Sequence, residues 1–397
     1  MLARASQFLQ RLLTATLQLL LGLALGLLLL EIVFRLNATL LLRGVPLAGA
    51  IDLPVSQHTY TVRYSDGDTI FWRPYLVRPL TADTDRVEAV VTLQTDEFGF
   101  RNPPPLPAQV QTVVLGRSTS LGAQNARPWP TQLAALSGGY VLNLAEPSAG
   151  IATQAQIWDQ FGQLRHPHWL ILEIAPRIDI DDVSPPSGRL ADLFVPLVQG
   201  FARNLTGPRL LSPPLHPIYP LSFDTPRGPA SVTCCISYMD FLSLDRAAIA
   251  GSRDWAAYRA HLLRLAGQAR ASGACVALLY ATAKEEVYFT SALHPEQLAP
   301  VLAGVTPLRV GPSGYLEPAA GQLSDPRTVA RNALAGRDVA AQFARENGLV
   351  WIDPTPLFLK AFAAGADPYM AYDSHWNDQG HSLIAQLAGQ QLAQACP

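Results

Sequence analysis

Charge is scarce in this chain. Only 15% of its 397 residues are Asp, Glu, Lys or Arg, and 29 basic residues against 31 acidic ones leave a formal net charge of −2. Phosphate binding needs Lys and Arg concentrated on one face. No basic stripe occurs, so nucleic acid is excluded as a partner. Cysteine is equally sparse: Cys234, Cys235, Cys275 and Cys396, with no CxxC pair and no histidine at metal-ligand spacing. A zinc site is read from that spacing, so no metal site is expected. Adjacent Cys234 and Cys235 would close a strained ring with each other, which leaves either free to pair with a distant partner, or all four to act as small buried apolar residues. Internal repeats are also absent.

Apolar residues, by contrast, make up 49% of the chain, and the excess sits at the N-terminus. Leu12 to Leu30 is uncharged and rich in leucine, and at about 1.5 Å per residue such a run can cross a bilayer. One N-terminal transmembrane helix is therefore expected. Arg4 and Arg11 precede it and favour a cytoplasmic N-terminus, against Arg35 and Arg43 on the far side. Only residues 1–11 lie before the run, while residues 31–397 follow, so the folded mass falls on the extracytoplasmic side of a single-pass anchor. The rivals are a cleaved signal peptide and a buried core helix. No small-x-small cleavage site follows the apolar run directly, and Ala48-Gly49-Ala50 lies far downstream.

The expected organisation is a cytoplasmic stub and anchor over 1–35, a stalk with a small β lead-in over 36–105, and one large domain over 106–397. Short β-like runs occur at Thr59 to Tyr64 and Glu88 to Leu93, before Pro103-Pro104-Pro105. From Gln111 the pattern changes. Apolar runs at Thr112 to Leu115, Tyr140 to Leu144, Trp169 to Ala175, Cys275 to Tyr280 and Leu349 to Ile352 alternate with helical stretches near 128–137, 153–165, 253–272 and 327–347. Buried strands alternating with helices imply a parallel sheet covered on both faces. The fold class is therefore α/β: a three-layer α/β/α sandwich around a mostly parallel five-stranded sheet. A Pro-rich insertion over about 180–252 has little helical periodicity and reads as a lid, a partner surface or a membrane-facing flap.

In open α/β sheets the ligand crevice lies outside the carboxyl ends of the strands, so the residues following each run carry the chemistry. Gly116-Arg117-Ser118-Thr119-Ser120 follows the first, Ala145 to Gly150 the second, Arg177-Ile178-Asp179 the third, and Lys284, Glu285 and Tyr288 the fourth. Asp373-Ser374-His375-Trp376-Asn377 precedes a last helix at Gln379 to Ala395. A serine becomes a nucleophile when a base takes its proton and an acid orients that base. Ser118 at a strand-to-helix corner, with Asp373 and His375 two apart, supplies those three parts. The plainer alternatives are a turn or N-cap serine at 118, a helix cap with a satisfied histidine at 373–375, a solvated charged loop at Lys284 to Tyr288, and turn chemistry at Ser148. Ser120 is a second nucleophile candidate, and His381 reads as structural.

The order and wording of these pieces resemble the SGNH/GDSL hydrolases, specifically their membrane-anchored bacterial branch. The matching pieces are Glu97-Phe98-Gly99-Phe100-Arg101, the serine-bearing strand end, Lys284 to Tyr288, Asp353-Pro354-Thr355 and the closing Asp-x-His-Trp, spanning residues 95–395. The resemblance implies a flavodoxin-like fold, with Ser118 as nucleophile, His375 as general base and Asp373 as its orienting carboxylate. It also implies an oxyanion hole from the Ser118 N–H with Ser148 and Arg177, and substrate contacts from Lys284 and Tyr288. The substrate would be an acyl ester, with a surface polysaccharide as acceptor in the transfer version, and no cofactor or metal. Three positions depart from the family pattern: Arg117 stands for the Asp of Gly-Asp-Ser, Ser148 for a glycine, and Ile178 for an asparagine. The second reading is therefore a non-catalytic member that binds or scaffolds at the membrane. A partner in a membrane complex, docked on the Pro-rich insertion, is compatible with either.

Overall fold

In the computed structural model of the chain, the described residues are 10, 13–26, 28–29, 59–65, 87–146, 149–175, 219–225, 228–234, 239–303, 305–370 and 374–396. The chain divides into two compact units, Met1–Val55 with Gly188–Ser212, and Ser56–Ser187 with Pro213–Pro397. Of the first unit the described part is a helix, α1, over 13–26, with residues 10, 28 and 29 also helical. Its Leu13, Leu17, Leu19, Leu20, Leu21, Leu23 and Leu25 side chains are each more than half exposed. Leu12, Leu27 and Leu30 of the expected span lie outside the described residues. Among the described residues no helix is long and apolar enough to cross a membrane, so the spanning helix expected over Leu12 to Leu30 is not found.

The second unit opens with a two-stranded pair. Strands β1 (Thr59–Ser65) and β2 (Val87–Gln94) pair antiparallel. Val91 and Leu93 are buried between exposed Thr92 and Gln94, the alternation of a strand with one face covered.

The five apolar runs form one sheet. Its strands are β3 (Thr112–Leu115), β4 (Val141–Asn143), β5 (Trp169–Ile174), β8 (Cys275–Tyr280) and β11 (Val350–Ile352), all parallel, in the order β11-β8-β5-β3-β4. Counted by first appearance in the sheet, the order is 2-1-3-4-5, the flavodoxin-like winding. Every residue of β3, β4 and β5 is buried, as a sheet covered on both faces requires. The sequence reading of fold class is met, with all five strands parallel.

One face carries Val114, Ile171, Ala277, Leu279 and Ile352. These join a single apolar core with Trp129 and Leu133 of α3 (Trp129–Ser137) and Ile384, Ala385 and Ala388 of α12 (Asp378–Ala395). Four helices belong to the opposite face: α4 (Ile151–Ile157), α5 (Arg246–Gly251), α6 (Arg253–Ala271) and α10 (Ala335–Glu346). There Trp255 meets Phe343 edge to face at 5.7 Å. The short α2 (Ser118–Leu121) sits at the sheet rim, and α7 (Lys284–Ser291), α8 (Ala299–Leu302), α9 (Pro326–Asn332) and α11 (Thr355–Ala363) complete the unit.

Differences from expectation have local causes. The helix expected over 153–165 is α4 followed by a widened π turn, Trp158–Gly162, and a final 3-10 turn, Gln163–Arg165. That expected over 327–347 is broken into α9 and α10. Inside the Pro-rich insertion, β6 (Tyr219–Thr225) and β7 (Gly228–Cys234) form an antiparallel hairpin, and β9 (Leu308–Val310) pairs with β10 (Leu316–Pro318) beyond it. Cys275 and Cys396, whose pairing their spacing left open, form a disulfide across a sequence separation of 121.

Candidate functional site

The switch in strand order lies between β3 and β5, and the chain leaves β3 there through Gly116. A Cβ at this position would lie 2.7 Å from Glu173 Oε2 and 2.8 Å from Ser120 Oγ, so only glycine lets the strand turn so tightly. Arg117 is extended, Ser118 opens α2, and Gly122 ends it in the left-handed region at φ 58°. The Gly122 N–H donates to Ser118 O at 2.9 Å. This helix is a single turn, so what it can offer a developing anion is the local Ser118 N–H rather than a summed dipole. Ser118 is half-buried. Thr119 Oγ1 donates to Glu173 Oε1 at the end of β5. Ser120 is fully buried and its Oγ accepts from Trp129 Nε1 at 3.1 Å, a structural duty that removes it as a second nucleophile.

This turn is held from outside by the Asp96 to Asn102 segment. Asp96 Oδ1 accepts from the N–H groups of Phe98, Gly99 and Phe100 at 2.9, 2.9 and 3.0 Å. Its Oδ2 accepts from Asn102 Nδ2 at 2.8 Å. Burial pushes the Asp96 carboxyl up, and these donors pull it back. Asn102 pairs with the backbone of Asn143 at the end of β4 through both amide atoms, each at 2.9 Å. Asn143 Nδ2 in turn donates to Ser120 O at 3.0 Å. Arg101 reaches into the turn itself, donating to Leu121 O at 3.0 Å, to Gly122 O, and to Asn125 O at 2.5 Å. Desolvation lowers its guanidinium to about 10. The sequence marked Glu97 to Arg101 as a motif without showing what it does; it clamps the serine turn.

His375 arrives on the loop before α12. Tyr369 and Trp376 form an antiparallel bridge, and the Met370 N–H donates to His375 O at 2.9 Å. Trp376 is fully buried, its Nε1 donating to Thr282 O at 3.2 Å, and the Tyr369 hydroxyl donates to the same carbonyl at 3.0 Å. Asn377 caps α12, its side-chain oxygen accepting from the Gln379 and Gly380 N–H groups at 3.0 Å each.

Two bonds fasten this segment to the serine turn. Asn125 Nδ2 donates to Asp378 Oδ1 at 3.0 Å, and the Trp129 N–H donates to His381 Nδ1 at 3.1 Å. His381 is buried; desolvation first, then the charges of Arg101 and His375, lower it to about 3. It is a structural histidine, as its place inside the helix implied.

Among the described residues no hydrogen bond joins Ser118 to His375, and such bonds commonly tighten only with substrate bound. His375 itself is half-buried. Asp373, Ser148, Arg177 and Ile178 lie outside the described residues.

Lys284 and Tyr288 are not surface groups. Both lie in α7 and are fully buried, which corrects the reading of a solvated loop. Lys284 Nζ donates to Met370 O at 2.6 Å, and the Tyr288 hydroxyl donates to Asp367 Oδ2 at 2.5 Å. Beside them Glu286, also buried, accepts from Tyr280 OH at 2.5 Å and the Ala283 N–H at 2.7 Å. Desolvation raises Glu286 to about 8. The burial of Glu173 and Glu286 left no mark in the sequence because nothing local sets a buried acid apart.

Among the described residues one trio of metal-ligating types, His168, Cys275 and Cys396, brings its donor atoms within 4.8 Å of one another. The disulfide consumes two of the three, so in this form they are not a donor set.

Fold and site together define a doubly wound α/β protein with a serine-bearing turn at the sheet's switch point. No family model matches the chain, and no curated protein matches it. Among solved structures it is similar to phospholipase A1 from Streptomyces albidoflavus NA297, at 12% identity over 72% of this chain and 100% of that one, with a TM-score of 0.36. A GDSL-like lipase from Bacteroides thetaiotaomicron VPI-5482 shares 10% identity over 74% and 93%, TM-score 0.35. A catalytic mutant of an acetylxylan esterase from Geobacillus stearothermophilus shares 12% over 72% and 95%, TM-score 0.34. At such identities and TM-scores these likenesses carry no weight for the chemistry, which rests on the chain's own residues.

Proposed function

We propose that the chain is an SGNH/GDSL-type serine esterase or O-acyltransferase, held at a membrane by its N-terminal segment with the main domain on the extracytoplasmic side. Ser118 Oγ attacks the acyl carbonyl of an ester as its proton passes to His375, oriented by Asp373. The tetrahedral intermediate forms with its oxyanion against the Ser118 N–H and donors from the Ser148 and Arg177 segments. It collapses with the proton going from His375 to the leaving alkoxide. Water, or a glycan hydroxyl, then gives its proton to His375 and takes the acyl group, and Ser118 recovers the proton.

What carries this reading is the meeting of two distant segments. The stretch that follows the serine turn and the helix that follows His375 are bound together through Asn125 with Asp378 and Trp129 with His381. Supporting the location are the exposed leucines of α1, which water disfavours, and a disulfide of the kind that persists in oxidising compartments.

The purified full-length chain in detergent, given p-nitrophenyl acetate and a fluorophosphonate probe, tests it. Turnover and labelling that vanish in Ser118→Ala are expected. A folded wild-type chain that neither labels nor turns over would instead favour the second reading, a non-catalytic binding or scaffolding protein. The Arg117, Ser148 and Ile178 departures motivate that reading.

A further inference from the structure

We infer that Lys284 is a positioning residue for His375, gripping the carbonyl of the residue whose N–H the histidine's own backbone holds. The inference rests on the reading of His375 as the base. Met370 is the shared element: its carbonyl accepts from Lys284 Nζ at 2.6 Å, while its N–H donates to His375 O at 2.9 Å. Held through both its carbonyl and its N–H, Met370 fixes the rung on which the histidine stands.

The support is rigid because it grows directly out of the sheet. β8 ends at Tyr280, and Glu286 ties the turn into α7 by accepting from Tyr280 OH and the Ala283 N–H. One helical turn beyond Lys284, Tyr288 holds Asp367 Oδ2, and Asp367 Oδ1 accepts from the Tyr369 N–H at 3.1 Å. Thr282 O receives both the Tyr369 hydroxyl and Trp376 Nε1. The loop from Asp367 to Trp376 thus hangs from residues 282–288 at its start, middle and end. The Lys284 nitrogen lies 5.5 Å from the Tyr288 ring centroid, within the same buried cluster. Burying an amino group is costly unless it is hydrogen-bonded. A leucine here would fill space without gripping Met370.

The full-length chain and its Lys284→Met, Tyr288→Phe and Ser118→Ala variants test the inference, with p-nitrophenyl acetate kinetics and amide hydrogen exchange. In Lys284→Met, kcat is expected to fall roughly tenfold or more with KM held within about twofold, because a displaced base weakens the chemical step and not binding. The Met370 amide should exchange roughly tenfold or more faster while β8 amides keep their protection.

Unchanged kcat and unchanged Met370 exchange in a folded Lys284→Met chain overturn the inference, as does a raised KM with kcat intact, which would mark a substrate contact. Should Lys284→Met fail to fold, Tyr288→Phe decides: faster Met370 exchange with a lower kcat supports positioning, and no change in either overturns it. Turnover lost in Ser118→Ala but untouched by Lys284→Met sinks this inference alone. Turnover absent from the wild type, or surviving in Ser118→Ala, sinks the parent reading and this one with it.

Discussion

Arg101 gives up its hydration to satisfy carbonyls that the serine turn leaves open at Leu121, Gly122 and Asn125. Arg101→Met would strip three acceptors of their donor at once. Each buried polar group left unmade costs about 1–3 kcal/mol, so urea unfolding should show a loss of about 3 kcal/mol, the carbonyls recovering part of it from water. Fluorophosphonate labelling of Ser118 should slow as well, and Arg101→Lys should regain part of both. Equal stability and labelling in Arg101→Met would show that the turn holds itself.

Two buried groups of opposite sense make stability depend on pH. His381 ordinarily titrates at 6.5 and is lowered to about 3 in the fold. Between those values the unfolded chain binds a proton that the folded one refuses. Stability therefore falls on acidification through that window, by up to about 1.4 kcal/mol per pH unit. Glu286 ordinarily titrates at 4.5 and is raised to about 8. Its contribution is fully present below 4.5 and is lost as pH rises through about 8. Urea titrations at pH 5 and 7 should converge in His381→Gln, and titrations at pH 6 and 8.5 should converge in Glu286→Gln, relative to the wild type.

At the scale of elements, the corner between β3 and α2 depends on the missing side chain of Gly116. Gly116→Ala drives a methyl against Glu173 Oε2 and Ser120. Overpacking of this kind costs about 1–3 kcal/mol, and because the strain falls on the turn itself, labelling of Ser118 should drop more than the melting temperature suggests. Shortening the obstacle in Gly116→Ala/Glu173→Ala should restore stability in part; if it does not, the clash is not the cause.

The same elements show what the residues disclose by themselves. β3, β5 and β8 were legible because a strand buried on both faces must be a continuous apolar run, and the last helix was read over Gln379 to Ala395, within α12. Ser118 and His375 were legible as candidates because strand ends and the turn before a last helix are where such a fold works. The inside of α7 was not. Lys-Glu-Glu reads as solvent-facing unless one knows that Thr282, Asp367 and Met370 close over it, and those partners are up to 86 residues away. Arg101 was hidden for the same reason, since its acceptors are backbone carbonyls, which leave no mark in sequence.

Across the whole second unit, α12 is secured at both ends. Asn377 caps it beside His375, and Cys396, just past Ala395, is bonded to Cys275 at the opening of β8, whose N–H donates to His168 O at 2.8 Å. The bond thus joins the amino edge of a central strand to the chain's end, and the serine turn lies at the carboxyl edge of the same sheet. A cross-link over a sequence separation of 121 restricts the unfolded chain strongly, by about 4–5 kcal/mol on the loop-entropy account. Cys396→Ser, or reduction by a thiol, should therefore lower stability by about 3–5 kcal/mol and leave the fluorophosphonate labelling rate of the folded protein unchanged at 25 °C. A thiol assay on the unfolded, unreduced chain should count Cys275 and Cys396 as blocked. If the labelling rate follows the redox state instead, the far end of α12 communicates with His375, and the helix acts as a lever rather than as a fixed floor to the site.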